Sequence, residues 1–364
     1  MKLDGCLMSK DTVVANINDG RISVVNEQLI PLYLKNRSFE SWLEGRAIDT
    51  HRINSRLLKK ALRLTTANDM DVVLKVNAAT ITDTYWFKPE GSELTYDDIR
   101  FKENMFDKLA LYGDPDSFNK EYSRTPELTN TGSFEKCWRI DGNGEWWIYK
   151  QGDYKELFSE LFICELGKVL GFNMAHYEKD GKYIKSLDFT EGALVNFESA
   201  AGIVGEDEDY AINFEALRKL SENCVDDYVR MIYLDTICFN MDRHTKNYGV
   251  LRDVESGAVI GLAPNFDNNI ALIARDYPEN ILRDNDKLIQ FFVEFLESCP
   301  DALECLEKLN IPTIDREMIE NCMDKVPIDV DRNIICEFVL NGQTQVTAAV
   351  EQLRQDNGFN HTMS

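Results

Sequence analysis

The sequence predicts an α+β fold of two lobes, in which a small part rich in β-hairpins precedes a mainly helical part. Three observations support this prediction. Turn signals rich in Gly, Asp and Asn separate pairs of short aromatic and β-branched runs, which is typical of hairpins. Between two of these hairpins, one long stretch has apolar residues at helical spacing. From about residue 211, most of the remaining chain has a helical pattern.

Composition limits the class of protein. The 364 residues carry a formal net charge of −23, and a surface that acidic repels phosphate backbones and anionic lipids. We therefore expect no direct nucleic-acid partner and no membrane association, although a small basic pocket for a nucleotide is compatible with this charge. The start of the chain has no cleavable apolar core, and no apolar run approaches the roughly 18 residues of a membrane span. The protein is expected to be cytoplasmic.

The cysteines indicate a reducing environment. All nine are scattered singly, without a C-x-x-C pair, and several lie inside apolar helical patterns. Free buried thiols are therefore expected rather than a disulfide framework. With only four histidines and no paired ligand spacing, a structural zinc site is not expected.

Three regions can be separated along the chain. Residues 1–115 mix short apolar segments with a basic amphipathic stretch, "RINSRLLKKALRL" (52–64), which is either an ordinary surface helix or a partner-binding helix. A segment rich in Pro, Gly, Asp and Asn (111–132) then predicts a boundary. We predict a variable region of unknown role over 1–115, a small lobe over 116–188 and a larger lobe over 189–364.

The elements after this boundary follow one another in a readable order. The turn "DGNG" (141–144) predicts a first hairpin. Apolar residues at helical spacing predict a helix over 154–171, with Gly171 as its stop. A second hairpin is predicted over 174–187, with its turn at 179–181.

The mainly helical part contains the most polar stretch of interest. A long apolar helix over 226–241 leads directly into "NMDRHTKNYGVL" (240–251), a third hairpin occupies 248–262, and "NFDNN" (265–269) follows. The order of hairpin, helix, hairpin, helices, polar loop, hairpin and Phe-Asp is more informative than any single motif.

Three residues in this order match the needs of phosphoryl transfer. That chemistry requires an aligned acceptor hydroxyl, screened phosphate charge and held metal ions, with little covalent help from the protein. In kinases a loop aspartate orients and deprotonates the hydroxyl, an asparagine five residues later binds a metal ion, and an aspartate after a hairpin bridges the metal to the phosphates. Asp242, Asn247 and Asp267 have this spacing. A lone D-x-x-x-x-N also occurs by chance, and Asp242 could instead cap the preceding helix. His244 is expected to order the loop rather than to react.

These segments resemble one family. "MDRHTKNYG" followed by "FDN" resembles the catalytic and metal-binding segments of the HipA-like serine/threonine kinases. The D-R-H-x-x-N form is shared with phosphoinositide kinases, but "TNTGSFEKCWRI" resembles the HipA-like phosphate loop and "SELFICELGKVLG" resembles the first helix of that family. The resemblance covers about residues 125–340. Residues 1–115 do not resemble the small N-terminal subdomain that is usual in the toxin members.

The resemblance implies a fold, cofactors and partners. The fold would be protein-kinase-like, the cofactors would be ATP and Mg²⁺, and the substrate would be a protein with a serine or threonine acceptor. Many members are the toxin half of toxin–antitoxin modules, so an antitoxin-like partner protein is a candidate. The implied function is that of an ATP-dependent serine/threonine protein kinase.

The resemblance also implies roles outside the catalytic loop. Lys150 would contact the α- and β-phosphates, and a glutamate of the following helix would hold it in place. The family pattern selects Glu160, whereas a helical wheel places Glu165 at the centre of the apolar stripe; Glu160 is preferred, and both stay open. The adenine hinge is expected within "IKSLDF" (184–189), with no residue assigned.

The predicted phosphate loop is "NTGSFEK" (130–136). Backbone N–H groups around Thr131, Gly132 and Ser133 would cradle phosphate oxygens, and Lys136 would add positive charge. Family members modify a hydroxyl residue in this loop, and Thr129 is the nearest match. A phosphate there, or on Thr131, would expel the loop from its ATP-bound shape by charge repulsion.

Two alternatives stay open from the sequence. A lipid or small-molecule kinase could use the same catalytic loop, although the acidic composition disfavours it. A non-catalytic kinase-like protein could act through partner contacts, although Lys150, Asp242, Asn247 and Asp267 are all intact. The sequence assigns neither the substrate nor the oligomeric state.

Overall fold

A computed structural model describes residues 3–64, 68–119, 124–276 and 278–362, with side chains as far as residue 355. The chain forms two compact units. The first contains Met1–Gly152, Tyr177–Ile203 and Val250–Ile260, and the second contains Asp153–His176, Val204–Gly249 and Gly261–Ser364. The predicted boundary segment 111–132 includes residues 120–123, which lie outside the described residues, and the predicted domain limits stay predictions.

The strands of the described residues form three sheets. They are β1 (Gly5–Ser9), β2 (Thr12–Asn18), β3 (Arg21–Val24), β4 (Tyr85–Pro89), β5 (Lys136–Ile140), β6 (Trp146–Lys150), β7 (Tyr177–Asp180), β8 (Tyr183–Leu187), β9 (Val195–Ser199), β10 (Gly249–Asp253) and β11 (Val259–Leu262). The strand orders are β3-β2-β1-β4, β5-β6-β8-β7 and β11-β10-β9.

The described helices are short before residue 115 and mostly longer from residue 154 onward. They are α1 (Phe39–Glu44), α2 (Ser55–Ala61), α3 (Asp69–Leu74), α4 (Tyr96–Ile99), α5 (Asp107–Tyr112), α6 (Tyr154–Val169), α7 (Ala201–Val204), α8 (Tyr210–Leu220), α9 (Val225–Cys238), α10 (Lys287–Ser298), α11 (Pro300–Lys308), α12 (Arg316–Asp324) and α13 (Arg332–Thr362). Short 3-10 turns occupy Leu32–Lys35, Pro115–Asn119, Pro126–Thr129, Glu222–Cys224 and Ala274–Asp276. None of the described helices is both long and apolar enough to cross a membrane.

The three hairpins predicted from turn chemistry are present. Strands β5 and β6 pair around the predicted "DGNG" turn, with Lys136 opposite Lys150. Strands β7 and β8 pair from Asp180 and Tyr183, so their turn lies one residue later than predicted. Strands β10 and β11 are neighbours in the third sheet. Local turn residues therefore predict these connections well, because a tight hairpin needs no distant contact to form.

The basic stretch 52–64 packs against the apolar core of the first unit. This stretch contains α2, whose Leu58 is fully buried beside Phe106 and Leu109. Leu57 and Ala61 pack against the same cluster. The apolar side of the helix is therefore occupied by its own unit, which is the arrangement of an ordinary amphipathic helix and not of a partner-binding one.

The second unit is built around α6 and α9. Helix α6 begins at a capping box, in which the Asp153 side chain accepts hydrogen bonds from the N–H groups of Lys155 and Glu156. Helix α9 ends at Cys238, three residues before its predicted end, because Phe239 adopts a left-handed conformation with φ +56°. A non-glycine residue in this conformation costs on the order of 1 kcal/mol, and it turns the chain out of α9 into the polar loop.

The cysteines are all free thiols. Eight are buried, and Cys6 is half-buried. The expectation of buried thiols without disulfides is thus confirmed. Their low exposure follows from their positions in apolar patterns, where cysteine packs as a small hydrophobic residue.

Candidate active site

The loop after α9 is held together by hydrogen bonds to the backbone carbonyl of Asp242. That carbonyl accepts hydrogen bonds from the N–H of His244 at 3.0 Å and from the side-chain amide of Asn247 at 2.9 Å. The N–H of Asn247 in turn donates to the carbonyl of His244 at 2.8 Å. The His244 ring accepts a hydrogen bond at Nδ1 from the N–H of Lys246, so this histidine orders the loop. The D-x-x-x-x-N spacing therefore closes a compact turn that joins two of the predicted site residues.

The Asn247 side chain is oriented by this bond. Its Nδ2 atom is the donor to the Asp242 carbonyl, so its Oδ1 atom is the group left to bind another ligand. Oxygen from an amide or a carboxylate is the donor that Mg²⁺ prefers. Asn247 therefore fits the predicted role of a magnesium ligand.

The Asp242 side chain does not cap α9. The helix ends four residues earlier, with its C-cap at Phe239. Within the described part of the chain, no hydrogen bond to the half-buried Asp242 carboxylate is formed. Burial is the main reason that the pKa of Asp242 is raised; His244 opposes the shift, and the negative charge of Asp267 adds to it. An uncommitted carboxylate with a raised pKa is suited to accepting a proton.

Asp267 adopts a left-handed backbone conformation, with φ +64°. Both of its neighbours are held in place. The carbonyl of Phe266 accepts a hydrogen bond from Arg243 at 2.7 Å, and the N–H of Asn268 donates to Glu160 Oε1 at 2.8 Å. Strained backbone that is fixed from both sides is common at functional sites, and here it sets the direction of a half-buried carboxylate.

Arg243 is bonded to more parts of the site than any residue predicted from the sequence, and it was not among the predicted site residues. Its guanidinium group is buried and forms a bidentate pair with Asp235 of α9. It also donates to the carbonyls of Asn247 and Phe266 at 2.8 and 2.7 Å, and to the side chain of Asn268 at 2.7 Å. In the sequence, only its position beside Asp242 pointed to a role for Arg243. Its partner Asp235 lies within an apolar helical run and does not stand out there.

The two candidate glutamates of α6 have different surroundings. Glu160 is fully buried and holds the segment after Asp267 through Asn268. Glu165 is partly exposed and forms ion pairs with Lys168 and Lys325. The helical wheel placed Glu165 at the centre of the apolar stripe, and the wheel was misleading because α6 is buried on more than one side. These contacts favour Glu160, while its pairing with Lys150 stays a prediction.

In the first unit, residues 131–133 are the exposed part of the predicted phosphate loop 130–136. Thr131, Gly132 and Ser133 are all exposed, and Gly132 has φ +95°. Within the described residues, their N–H groups donate to no carbonyl. A Cβ atom on Gly132 would lie 2.5 Å from Lys136 Nζ, so the lysine ammonium lies over the glycine. Exposed N–H groups beside an ammonium are a suitable arrangement for an anion.

Lys136 and Lys150 lie directly opposite each other on β5 and β6. Opposite residues of an antiparallel pair share one face of the sheet, and like charges in that position repel. Lys150 is buried, with its ammonium 5.7 Å from the centre of the Tyr177 ring. Two cationic side chains on one face of this hairpin fit the predicted binding of phosphate.

A buried network fixes the start of this loop, and it was not expected from the sequence. The Asn130 carbonyl accepts from Arg52 at 3.0 Å, and the Asn130 amide donates to Glu127 at 2.9 Å. Glu127 is fully buried, and burial is the main reason that its pKa is raised. Arg52 also donates to the carbonyl of Lys136. Residue 52 of the N-terminal region thus supports both ends of the loop.

Thr129, the predicted modification site, is buried. Its hydroxyl donates to the carbonyl of Ala79 at 2.7 Å and lies 3.2 Å from the carbonyl of Pro126. Thr131 is exposed. Phosphorylation of Thr129 would therefore require the 3-10 turn Pro126–Thr129 to open first.

The predicted site residues thus fall into two groups. The second unit brings together Asp242, Asn247, Asp267 and Glu160, and the first unit brings together Lys136, Lys150 and the loop of Thr131, Gly132 and Ser133. The predicted hinge segment 184–189 contains most of β8 and the two residues that follow it.

One solved structure has a fold similar to that of this chain, and two others match it more weakly. The chain is 14% identical to a chain of the Shewanella oneidensis MR-1 toxin–antitoxin complex of HipA, HipB and operator DNA, with a TM-score of 0.62 over 96% of this chain and 97% of that chain. It also matches a Helicobacter pylori proinflammatory kinase, CtkA, at 19% identity and a TM-score of 0.43, over 60% of this chain and 94% of that chain. Rio2 kinase of Chaetomium thermophilum matches at 13% identity and a TM-score of 0.30, over 82% and 99% of the two chains.

The likeness to the Shewanella structure extends into the N-terminal region. Because it covers 96% of this chain, it includes most of residues 1–115, for which the sequence suggested no counterpart in the toxin members. No curated protein sequence matches the chain.

The sequence profile of the HipA-like C-terminal domain matches residues 121–329, which is more than half of the chain. The predicted α+β, protein-kinase-like fold class is confirmed by this match together with the two-unit α+β architecture. The chain therefore belongs to the family of the HipA-like C-terminal domain.

Proposed function

We propose that this protein is a kinase that transfers the γ-phosphate of ATP to a serine or threonine hydroxyl of a protein. The observation that carries the proposal is the bond from Asn247 Nδ2 to the Asp242 carbonyl, at 2.9 Å. It places a carboxylate and an amide oxygen on one short loop, next to Asp267. Phosphoryl transfer needs this combination of an acceptor base and oxygen ligands for a metal ion.

Asp242 is the residue that accepts the proton of the acceptor hydroxyl. Its carboxylate is half-buried and accepts no hydrogen bond from the described residues. Its raised pKa makes it a stronger base than an ordinary aspartate, as a general base requires. The hydrogen bonds to the Asp242 carbonyl fix the backbone of the loop, so the Asp242 side chain keeps its direction. Arg243 and Glu160 are positioning residues, because they act through the backbone on either side of Asp267.

Asn247 and Asp267 would hold Mg²⁺ together with the nucleotide phosphates. Among the described residues no group of three or more His, Cys, Asp or Glu side chains could hold a metal ion alone. Mg²⁺ in kinase sites is usually bound by one or two protein oxygens plus substrate phosphates, so the donor set fits. When bound, Mg²⁺ screens the charge of the β- and γ-phosphates.

Residues of the first unit would bind the phosphates. The exposed N–H groups of residues 131–133 and the ammonium groups of Lys136 and Lys150 supply positive potential without a metal ion. An acidic protein needs such a local basic patch to attract a nucleotide. Lys150 would then be held by Glu160, as the family pattern implies.

A protein partner and self-modification are part of the proposal. The Shewanella structure contains HipA with HipB and operator DNA, and this fold likeness supports an antitoxin-like partner protein here.

Phosphorylation at Thr129 or Thr131 would add about −1.5 to −2 charges beside a loop that must approach ATP, and would switch the enzyme off.

The test is incubation with γ-labelled ATP and Mg²⁺, alone and with cell lysate, followed by identification of labelled proteins. Wild type should label a protein on serine or threonine. Asp242→Ala should retain ATP binding and lose roughly 10²- to 10⁴-fold in rate, as for loss of a general base. The exposed Asp329→Ala is the matched control. Labelling of lipid or a small molecule, or an unaffected Asp242→Ala variant, would contradict the proposal.

A further inference from the structure

A large groove in the second unit begins at the catalytic loop. Its volume is about 1130 Å³, and its lining includes Met241 and Arg243. These are the residues on either side of Asp242. An occupant of the groove therefore lies beside the loop that carries Asp242.

The apolar part of the groove lining, here called the floor, is partly exposed. It includes Leu288 and Phe291 of α10 together with Met241. The exposed fractions of Phe291 and Met241 are 48% and 52%. Large apolar side chains that are exposed within one groove indicate a surface that contacts a partner.

The charged part of the groove lining, here called the rim, is acidic. Six carboxylates and three cationic side chains line it, and the guanidinium of Arg243 is already paired with Asp235. Three of the carboxylates, those of Glu208, Glu279 and Glu294, are exposed and form no ion pair within the described ranges. Arg275 and Lys287 offset two of these charges, and Asp209 adds a fourth carboxylate without an ion pair among the described residues, so the rim keeps a net negative charge.

One side of this rim is fixed to the catalytic loop. The hydroxyl of Thr245 donates to the carbonyl of Gly205 at 2.6 Å. The acidic run "EDED" (206–209) follows directly, and its Glu208 and Asp209 line the groove. The acidic run is therefore held beside the catalytic loop.

We propose that this groove binds the segment of the protein substrate that flanks the acceptor hydroxyl. The rim selects arginine or lysine in that segment by charge complementarity, and the floor takes one large apolar side chain. The inference rests on the proposed kinase function, because it names the substrate class of the same site.

Peptide binding tests the groove without requiring catalysis. The probes are three fluorescent serine peptides: one with arginines and a leucine beside the serine, one with glutamates in place of the arginines, and one with glycine in place of the leucine. Fluorescence anisotropy with the full chain measures their affinity in the absence of ATP. The first peptide should bind best, and its affinity should fall as salt is raised, because exposed charges are screened.

Paired variants distinguish the effect of the groove on peptide binding from the effect of the protein's overall negative charge. Glu279→Gln with Glu294→Gln should weaken binding of the first peptide on the order of 5-fold, as for loss of two exposed ion pairs. Glu317→Gln with Glu351→Gln makes the same charge change at exposed positions outside the groove and should have no effect. Phe291→Ser should also weaken binding, with the exposed Val169→Ser as its control.

Equal binding of the three peptides, or equal losses in the groove and control variants, would overturn the inference. Transfer of labelled phosphate to all three peptides at one rate would overturn it as well, while leaving the kinase function standing. Selective binding without transfer to any acceptor would support the groove as a peptide site and contradict the proposed kinase activity.

Discussion

The guanidinium group of Arg243 donates to both carboxylate oxygens of Asp235, with nitrogen–oxygen distances of 2.8 and 3.0 Å. Both side chains are almost completely buried. The same guanidinium holds the carbonyls of Asn247 and Phe266. One ion pair therefore connects helix α9, the loop that contains Asp242 and the backbone directly before the strained residue Asp267.

Removal of this arginine should unfold the site. We expect Arg243→Ala to lower the free energy of unfolding by about 3–5 kcal/mol, because it leaves the Asp235 carboxylate buried without its partner. Urea denaturation measures the change. Arg316→Ala, which removes an exposed pair with Glu320, should cost no more than about 1 kcal/mol. If both variants lost a similarly small free energy of unfolding, the buried pair of Arg243 and Asp235 would not be what holds the site together.

Asp267→Ala should remove the contribution of Mg²⁺ to nucleotide binding. We expect affinity for ATP with Mg²⁺ to fall roughly 10- to 100-fold, the range known even for loss of outer-shell metal partners, while binding without Mg²⁺ changes little. Calorimetry with Mg²⁺ and with a chelator measures both. If the folded variant kept the full Mg²⁺ dependence, the metal would lie elsewhere.

Gly132→Ala should weaken ATP binding without unfolding the protein. The position has φ +95°, and the added Cβ would lie 2.5 Å from Lys136 Nζ. The strain is on the order of 1–3 kcal/mol, and an exposed loop relieves it by leaving its present shape. We expect the Kd for ATP to rise roughly 5- to 10-fold. Gly142→Ala, at a hairpin turn with open space around it, should bind ATP as wild type does.

Phosphorylation of the loop should depend on Asp242. Mass spectrometry after incubation with ATP is expected to find phosphate on Thr129 or Thr131 in wild type and none in Asp242→Ala. Thr129→Val and Thr131→Val identify the residue, and the buried hydroxyl of Thr129 should react only as fast as its turn opens. The phosphorylated protein should bind ATP weakly because of charge repulsion. Full activity with stoichiometric phosphate there would rule out the switch.

The sequence by itself determined the features that depend on neighbours along the chain. Turn residues such as those at 141–144 and the helical spacing over 154–171 predicted elements that the structure contains, because hairpin turns and amphipathic helices follow from local conformational preference. The spacing of Asp242 and Asn247 belongs to the same class. Their loop is short enough for its hydrogen bonds to close within six residues.

Only the tertiary structure decided which polar side chains are buried and what they hold. Arg243 and Asp235 look like any charged residues in sequence, and Arg52 lies 78 residues from the Asn130 carbonyl that it binds. The burial of Glu160 rather than Glu165 depends on what packs around α6, and a helical wheel shows only one helix. A charge leaves water only where several distant segments supply its partners together, so these roles could not be inferred before the segments were seen in place.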